Sequence, residues 1–192
     1  MGEHFFAYLA RMKYINRWGL MRNTVEENIQ EHSHMVAVLS HALAVIAREK
    51  FGSALDPGQA AIAGLYHDAS EILTGDLPTP VKYDNPAIKD ACKAVERLAA
   101  DKLLTMLPDE LRPAFAPYVR EELDEELLRV VKAADKLSAY LKCVEECKAG
   151  NSEFTLAARQ TRAALEAMEL PALDYFLTHF LPSFELTLDE LS

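Results

Sequence analysis

The chain has 192 residues, 50% of them hydrophobic, a net charge of −10 and three cysteines. That length sets a prior of one domain with a sizeable core. The acidic balance argues against a polymeric nucleic-acid partner, which calls for a basic excess, and no apolar run approaches the ~18 residues of a membrane span. The N-terminal residues carry neither a basic region nor a small-residue cleavage site, so they do not read as a signal peptide. Cys143 and Cys147 share a helical face but have no second Cys or His pair beside them, and Cys92 stands apart. They read as packing thiols in a reducing, cytoplasmic setting.

Residues 4–15 follow helical spacing, with Phe5, Leu9 and Met12 in one stripe, and Gly19 marks a break. Arg17-Trp18-Gly19 therefore falls in a turn. Trp18 suits a core, but an aromatic beside a guanidinium in a loop is also what a nucleotide pocket uses. The first 22 residues hold Arg11, Lys13, Arg17 and Arg22 against Glu3 alone. That local positive charge fits a small anion or a solvated basic face.

A helix is predicted from about Glu31 to Lys50, with the stripe Met35, Val36, Leu39, Leu43 and Ile46 and with His32 on its inward side. His34 and His41 share another face and read as surface or packing residues. Asp56-Pro57 starts the next helix as cap and first position. This helix is rich in small residues, carries His67, Asp68 and Glu71 in its C-terminal half, and stops at Gly75. Asp76-Leu77-Pro78-Thr79-Pro80 cannot be helical throughout. A helix over Pro86 to Met106 places Ile88, Cys92, Val95 and Leu98 in register, and Pro108 and Pro113 bracket a short helix or turn. The acidic run Glu121 to Glu126 reads as a solvated helix start that favours the dipole, not as a metal site. The helix from about Glu125 to Ala149 has the stripe Leu128, Val131, Ala134, Asp135, Ser138 and Leu141, in which Asp135 is the exception. A buried carboxylate there must be hydrogen-bonded, paired or metal-bound. A long amphipathic helix to about Met168 follows, then a final one containing Tyr175, Phe176 and Phe180. No segment shows sustained strand alternation, so the fold class is all-α, a single-domain helical bundle over residues 1–192.

Four side chains, His32, His67, Asp68 and Asp135, stand on faces that point inward. Singly, each has a structural explanation: a satisfied core histidine or a salt-bridged aspartate. Together on three helices they are costly to bury, and a divalent cation offsets that cost. Nitrogen and oxygen donors of this kind suit a hard or borderline divalent metal.

The order His32, His67-Asp68, Asp135 resembles the HD-domain metal-dependent phosphohydrolases, an all-helical superfamily. Arg17-Trp18, Glu31-His32-Ser33, Tyr66-His67-Asp68-Ala69-Ser70-Glu71, Thr74 to Pro80, Ala134-Asp135 and Ala139-Tyr140-Leu141-Lys142 look more narrowly like the bacterial 5′-deoxynucleotidases of that superfamily. The resemblance implies an HD-type helical bundle that hydrolyses deoxyribonucleoside 5′-monophosphates to deoxynucleoside and phosphate. It implies His32, His67, Asp68 and Asp135 as ligands of one divalent transition metal ion, cobalt or manganese among the candidates. Glu71, Arg17 and Asp68 would be the catalytic residues, Glu71 orienting or deprotonating the attacking water or managing protons later. Arg17, Trp18, Asp68, Asp135 and the loop Asp76, Leu77, Pro78 and Thr79 would contact substrate, Arg17 at the phosphate and Trp18 crowding the 2′ position. A homodimer is also implied, and apolar C-terminal residues such as Phe176 and Phe180 permit one.

Two other readings compete. One is a different HD phosphohydrolase, acting on a cyclic nucleotide or a nucleoside triphosphate; a triphosphate calls for more basic residues than Arg17 and its neighbours supply. The other is a non-catalytic helical regulator stapled by its metal, which would need neither Glu71 nor Arg17.

Overall fold

The computed structural model describes residues 2–82 and 84–192. Its α-helices are α1 (Phe5–Leu9), α2 (Ile29–Phe51), α3 (Pro57–Tyr66), α4 (Glu71–Thr74), α5 (Thr79–Lys82), α6 (Pro86–Leu104), α7 (Arg112–Val119), α8 (Glu125–Lys148), α9 (Thr155–Glu166) and α10 (Pro171–His179). Among the described residues there is no β-strand, and the extended pairing is one isolated antiparallel bridge, Asn16 to Asn28. The all-α bundle is as expected. Among the described residues no helix is long and apolar enough to cross a membrane.

The long helices start where side chains can satisfy their free N–H groups. Asn28 accepts from the amides of Gln30 and Glu31, and Glu31 returns a carboxylate to the Asn28 amide at 3.3 Å. This capping box fixes the start of α2 one turn before His32. Asp56 caps α3 with Pro57 at its first position, and Asp124 caps α8, with Glu125 and Glu126 in its first turn. The second half of the acidic run is therefore a helix start, as its charge pattern implied, while Glu121 and Glu122 precede it, Glu121 in a turn with φ +53.

Two apolar clusters organise the bundle. The larger unites α2, α3, α8, α9 and α10 around buried residues such as Leu43, Leu137, Leu165 and Leu173. Fully burying one such leucine contributes roughly 1.5–3 kcal/mol of transfer free energy. The smaller joins Phe5, Ala69, Ala100, Leu103, Leu107 and Val119. Ala63 belongs to the first cluster and Ala69 to the second, so the chain crosses from one to the other through His67-Asp68. Just before that crossing, α3 lies against α2 with Gly64 at the contact; a Cβ added there would stand 2.7 Å from Ala37 Cα.

Several boundaries differ from the sequence reading. The first helix ends at Leu9, and a 3₁₀ turn over Met12–Tyr14 replaces its second half, although Phe5 and Met12 are both buried as the stripe implied. Pro113 stands in the first turn of α7, where its missing N–H costs nothing, and does not close an earlier element. In α6 the buried face is Ala99, Ala100, Leu103 and Leu104, while Val95 and Leu98 are 53% and 69% exposed. Only the C-terminal part of α6 is buried, and Val95 and Leu98 lie on its exposed side. Phe176 is buried against Phe180 and Phe184 and is part of the core, so it offers no free surface to a partner; Phe180 remains 46% exposed.

Candidate functional site

His32 is fully buried on α2. Its Nδ1 lies 3.0 Å from Ser138 Oγ and its Nε2 3.1 Å from Asp135 Oδ1. Asp135 and Ser138 are three residues apart on α8 and so share one face. Both imidazole nitrogens are thereby engaged by a single neighbouring helix. The Asp135 carboxylate is held below the usual carboxylate range: burial alone would raise it, but the His32 contact and the nearby His67 overcome that. Its other side stays open to the cavity.

His67 and Asp68 do not sit inside a continuous helix, as the sequence reading had it. α3 ends at Tyr66, residues 67–70 form a turn, and α4 begins at Glu71. Through this stretch the amides of Ala69, Glu71 and Leu73 bond three residues back, to Tyr66, Asp68 and Ser70, so the chain tightens from α to 3₁₀-type spacing. His67 Nδ1 lies 2.8 Å from the Gly64 carbonyl, one of the acceptors left free where α3 stops. A carbonyl can only accept, so Nδ1 carries the hydrogen and Nε2 is the free position.

That Nε2 is buried and has no hydrogen-bond partner. Asp68 Oδ2 approaches it to 3.1 Å without hydrogen-bond alignment, and lies 3.6 Å from His32 Nε2. The surroundings favour positive charge strongly. Burial pushes the His67 imidazole down, but the Asp68 and Asp135 carboxylates outweigh it and raise it to about 10. Asp68 is correspondingly pulled well below its ordinary value despite its burial, by His67, His32 and Arg17. One donor atom each from His32, His67 and Asp135 lies within 4.8 Å of the others. Asp68 is outside that group, beside both imidazoles but also 3.5 Å from Arg17 Nη1. An orphaned buried nitrogen and a mixed nitrogen–oxygen donor set that attracts positive charge fit a divalent ion.

Arg17 and Trp18 form the next wall. Arg17 donates from its backbone N–H to the Glu27 carbonyl at 2.9 Å, and Ile29 donates to Ile15 at 2.9 Å, which pins this segment beside residues 27–29. The Arg17 side chain, 12% exposed, donates from Nε to Glu27 Oε2 at 3.1 Å and points Nη1 at Asp68. Burial lowers its pKa, but Asp68, Asp135, Glu27 and Asp76 together raise it, so the guanidinium is firmly cationic. Trp18 has φ +60, a conformation costing a bulky residue roughly 1–3 kcal/mol. Its backbone N–H faces the Asp76 carboxylate and opposes the rise of that group's pKa, its indole Nε1 donates to Glu27 Oε2 at 2.9 Å, and its ring packs 5.3 Å from Phe154.

Glu71 opens α4. Its Oε2 is buried without a partner, and burial together with Asp68 and Asp76 pushes the carboxyl up to about 9. Asp76 is raised as well, by burial first, although Arg17 opposes this. Leu77 and Pro78 follow in the loop, and Thr79 opens the short helix α5.

These residues share one cavity of about 880 Å³, which reaches from Asp68, Glu71 and Asp135 past Arg17, Trp18 and Asp76 to Thr79. His32 and His67 lie behind it. Sequence reasoning missed the opposite wall: Leu156, Ala157, Gln160, Thr161 and Ala164 of α9, with Lys136 of α8 beside Asp135. In sequence these belong to an ordinary amphipathic helix, and nothing local marks them. It also missed Glu27, and Ser138 as the partner of His32. A glutamate ten residues from Arg17 carries no spacing signal, but Ser138 was visible in the stripe with Asp135.

Comparisons with known proteins give the family and the fold. The family described as "5′-deoxynucleotidase YfbR-like" matches residues 4–184. The protein named 5′-deoxynucleotidase YfbR from Salmonella paratyphi B is 54% identical over 191 residues, covering 99% of this chain and 96% of the relative; that from Salmonella heidelberg matches equally. Among solved structures, an HD-domain phosphohydrolase from Listeria innocua superposes with a TM-score of 0.83 at 24% identity, over 96% of this chain and 90% of that one. The cyanophage S-2L HD phosphohydrolase DatZ, solved with dA and one catalytic Zn²⁺ ion, gives 0.67 at 21% identity, over 94% and 96%. At such identities the two structures speak to the fold alone. The fold is that of the HD-domain phosphohydrolases, and the chain belongs to the YfbR-like 5′-deoxynucleotidase family.

Proposed function

We propose that this protein is a metal-dependent 5′-deoxynucleotidase, hydrolysing deoxyribonucleoside 5′-monophosphates to deoxynucleoside and phosphate. The observation that carries the reading is the juxtaposition of a His/His/Asp group, whose Asp135 lines the cavity with both imidazoles behind it, and the buried guanidinium of Arg17 on the same cavity. The YfbR-like family membership supports the same substrate class. His32, His67, Asp68 and Asp135 would hold one divalent transition ion, with cobalt and manganese among the candidates. When bound, that ion would supply Lewis-acid charge at the phosphoryl oxygens and a water acidified enough to attack near neutral pH.

The chain's own residues divide the remaining work. Arg17 binds the phosphate: it lines the cavity as a planar, firmly cationic group whose Nε is engaged by Glu27 and whose Nη1 lies 3.5 Å from Asp68. Glu71, with a buried oxygen that no protein group satisfies, holds or moves the proton. Asp68 stands between the imidazoles and Arg17 and couples the cation site to the phosphate site. Trp18, Asp76, Leu77, Pro78 and Thr79 enclose the sugar, with Trp18 crowding the 2′ position. The base extends along the α9 wall, where Leu156, Ala157 and Ala164 leave a flat apolar surface.

The reading takes residues 1–192 as one domain, supported by a site drawn from helices spread along the chain. It takes the protein as a homodimer, supported by exposed apolar residues on two helices packed against each other, Met35 and Val38 of α2 and Ile62 and Leu65 of α3. It places the protein in the cytoplasm, supported by three free thiols. A panel of deoxy- and ribonucleoside mono- and triphosphates and cyclic nucleotides, assayed against added divalent metals, tests the activity. Phosphate release confined to deoxynucleoside monophosphates and dependent on metal is the expected result. Turnover on triphosphates or cyclic nucleotides alone, or none at all, would overturn it. Light scattering tests the dimer.

A further inference from the structure

We propose that Glu27 is a positioning residue that sets Arg17 and Trp18 as one unit, coupling phosphate affinity to sugar selectivity. The inference rests on the reading above that Arg17 meets the phosphate and Trp18 the sugar. Its basis is that one carboxylate oxygen, Glu27 Oε2, accepts from Arg17 Nε at 3.1 Å and from Trp18 Nε1 at 2.9 Å. The Arg17 and Glu27 side chains are 12% and 16% exposed, so solvent competes little for this contact.

The geometry is more than an ion pair. A guanidinium held at Nε can still rotate about its last carbon bonds unless a second contact fixes its plane, and Asp68 at Nη1 supplies one. Glu27 and Asp68 thus hold opposite ends of the fork. The indole is treated similarly: the Nε1 contact fixes its edge, and Phe154 backs its face. Trp18 also has a backbone conformation that bulky residues avoid, so it needs outside contacts to persist. The backbone of Glu27 adds a further tie, its carbonyl accepting from the Arg17 amide. A change at Glu27 should therefore disturb two substrate contacts at once.

The test uses full-length, metal-loaded protein and paired deoxy- and ribonucleoside monophosphates of the same base. Four variants are compared with wild type: Glu27→Ala, Glu27→Gln, Arg17→Ala and Trp18→Ala. Three readouts are taken: kcat and KM on each substrate, metal content, and intrinsic fluorescence. Trp18 is the only tryptophan in the chain, so emission reports on that ring alone.

Glu27→Ala is expected to keep its metal, to raise KM by about 10-fold or more, as loss of a charge-assisted contact implies, and to lower the deoxy-to-ribo ratio. Its emission should shift to longer wavelength as the indole N–H turns to water. Glu27→Gln separates the two functions. Its carbonyl still accepts from the indole but no longer carries charge toward Arg17. It should restore the sugar ratio and the emission of the alanine variant toward wild type, while KM stays raised. Because it preserves shape, it also carries the test if Glu27→Ala does not fold.

A Glu27→Ala enzyme with wild-type KM, sugar ratio and emission would overturn the inference, provided Arg17→Ala and Trp18→Ala show their losses. A Glu27→Gln enzyme with unaltered KM would overturn the Arg17 half. If Arg17→Ala and Trp18→Ala leave KM and the sugar ratio unchanged, the substrate reading of this end of the cleft has failed. The Glu27 inference then falls with it, for a reason these controls identify.

Discussion

His67 hangs from Gly64: the imidazole Nδ1 lies 2.8 Å from the glycine carbonyl, three residues back in the chain. The same glycine is the point where α3 meets α2, with no room for a side chain against the Ala37 backbone. Helix packing and the orientation of a candidate metal ligand are therefore set by one residue.

Gly64→Ala is expected to damage both. The added methyl would stand 2.7 Å from Ala37 Cα and 2.8 Å from its nitrogen, contacts that backbone cannot relieve by rotating a side chain. Overpacking of this kind costs roughly 1–3 kcal/mol or more. Thermal melting and metal content, measured on the same samples, check this; a variant with wild-type melting temperature and full metal occupancy would refute it.

Asp68→Ala should lose metal and activity together. The site has two carboxylates beside its imidazoles, and Asp68 is one of them. Elemental analysis of the purified variant decides the matter. Full metal occupancy would mean that Asp68 serves Arg17 and not the ion, consistent with its place outside the mutual 4.8 Å group.

Glu71→Ala should separate chemistry from metal binding. If the carboxyl handles protons, the variant keeps its fold and its metal while kcat falls by ~10²–10⁴, the usual range for a positioned acid–base group. The competing role is a structural pairing at the end of a helix, under which turnover per folded, metal-loaded enzyme would be near normal. Arg17→Ala should differ by weakening substrate affinity as well, since a phosphate clamp acts in both ground and transition states.

The protein should lose stability in acid through Glu146. This carboxylate is buried, and burial alone would raise its pKa. Lys142, Asn151 and the Thr24 amide and hydroxyl outweigh that and pull it far below its ordinary 4.5. A depressed folded-state pKa stabilises at pH values above the unfolded one, and the contribution drains away as pH falls below about 4.5. Glu146→Gln should therefore melt well below wild type at pH 7, with the gap narrowing toward pH 3. A gap that is constant with pH would remove the charge from the account.

Much of this was legible in the chain because helices and their caps are local. The capped start of α3, the start of α8 near Glu125, the inward placement of His32 and the exceptional position of Asp135 all follow from local pattern. The ligand candidates were visible for the same reason: buried titratable groups on apolar faces violate the pattern around them. What spacing cannot show is where a helix breaks. Residues 67–71 hold no Gly or Pro to mark a change, yet the backbone bonding there shifts to i→i+3. The α9 wall was illegible because Ala157, Gln160 and Ala164 are ordinary helix formers whose neighbours are set by tertiary packing. Val95 and Leu98 misled for the converse reason: their spacing promised burial, but Ala99, Ala100, Leu103 and Leu104 took the core side of α6.

Asp135 and Glu146 stand on one unbroken helix, α8, eleven residues apart. The first meets the imidazoles; the second grips Thr24 and Val25 and, through Asn151, the Arg22 carbonyl. Lys142, between them, binds the Val25 carbonyl. The helix thus works as a gauge block of about 16 Å at its usual rise per residue. Residues 22–25, which follow Arg17 and Trp18 in the chain, are strapped to one end and Asp135 is fixed at the other. Arg17 itself reaches back to within 3.5 Å of Asp68, so the guanidinium is tied to the cation site twice, directly and by way of α8. A one-residue insertion between Asp135 and Glu146 would lengthen the second tie by about 1.5 Å and swing one end by about 100°, setting the two ties against each other.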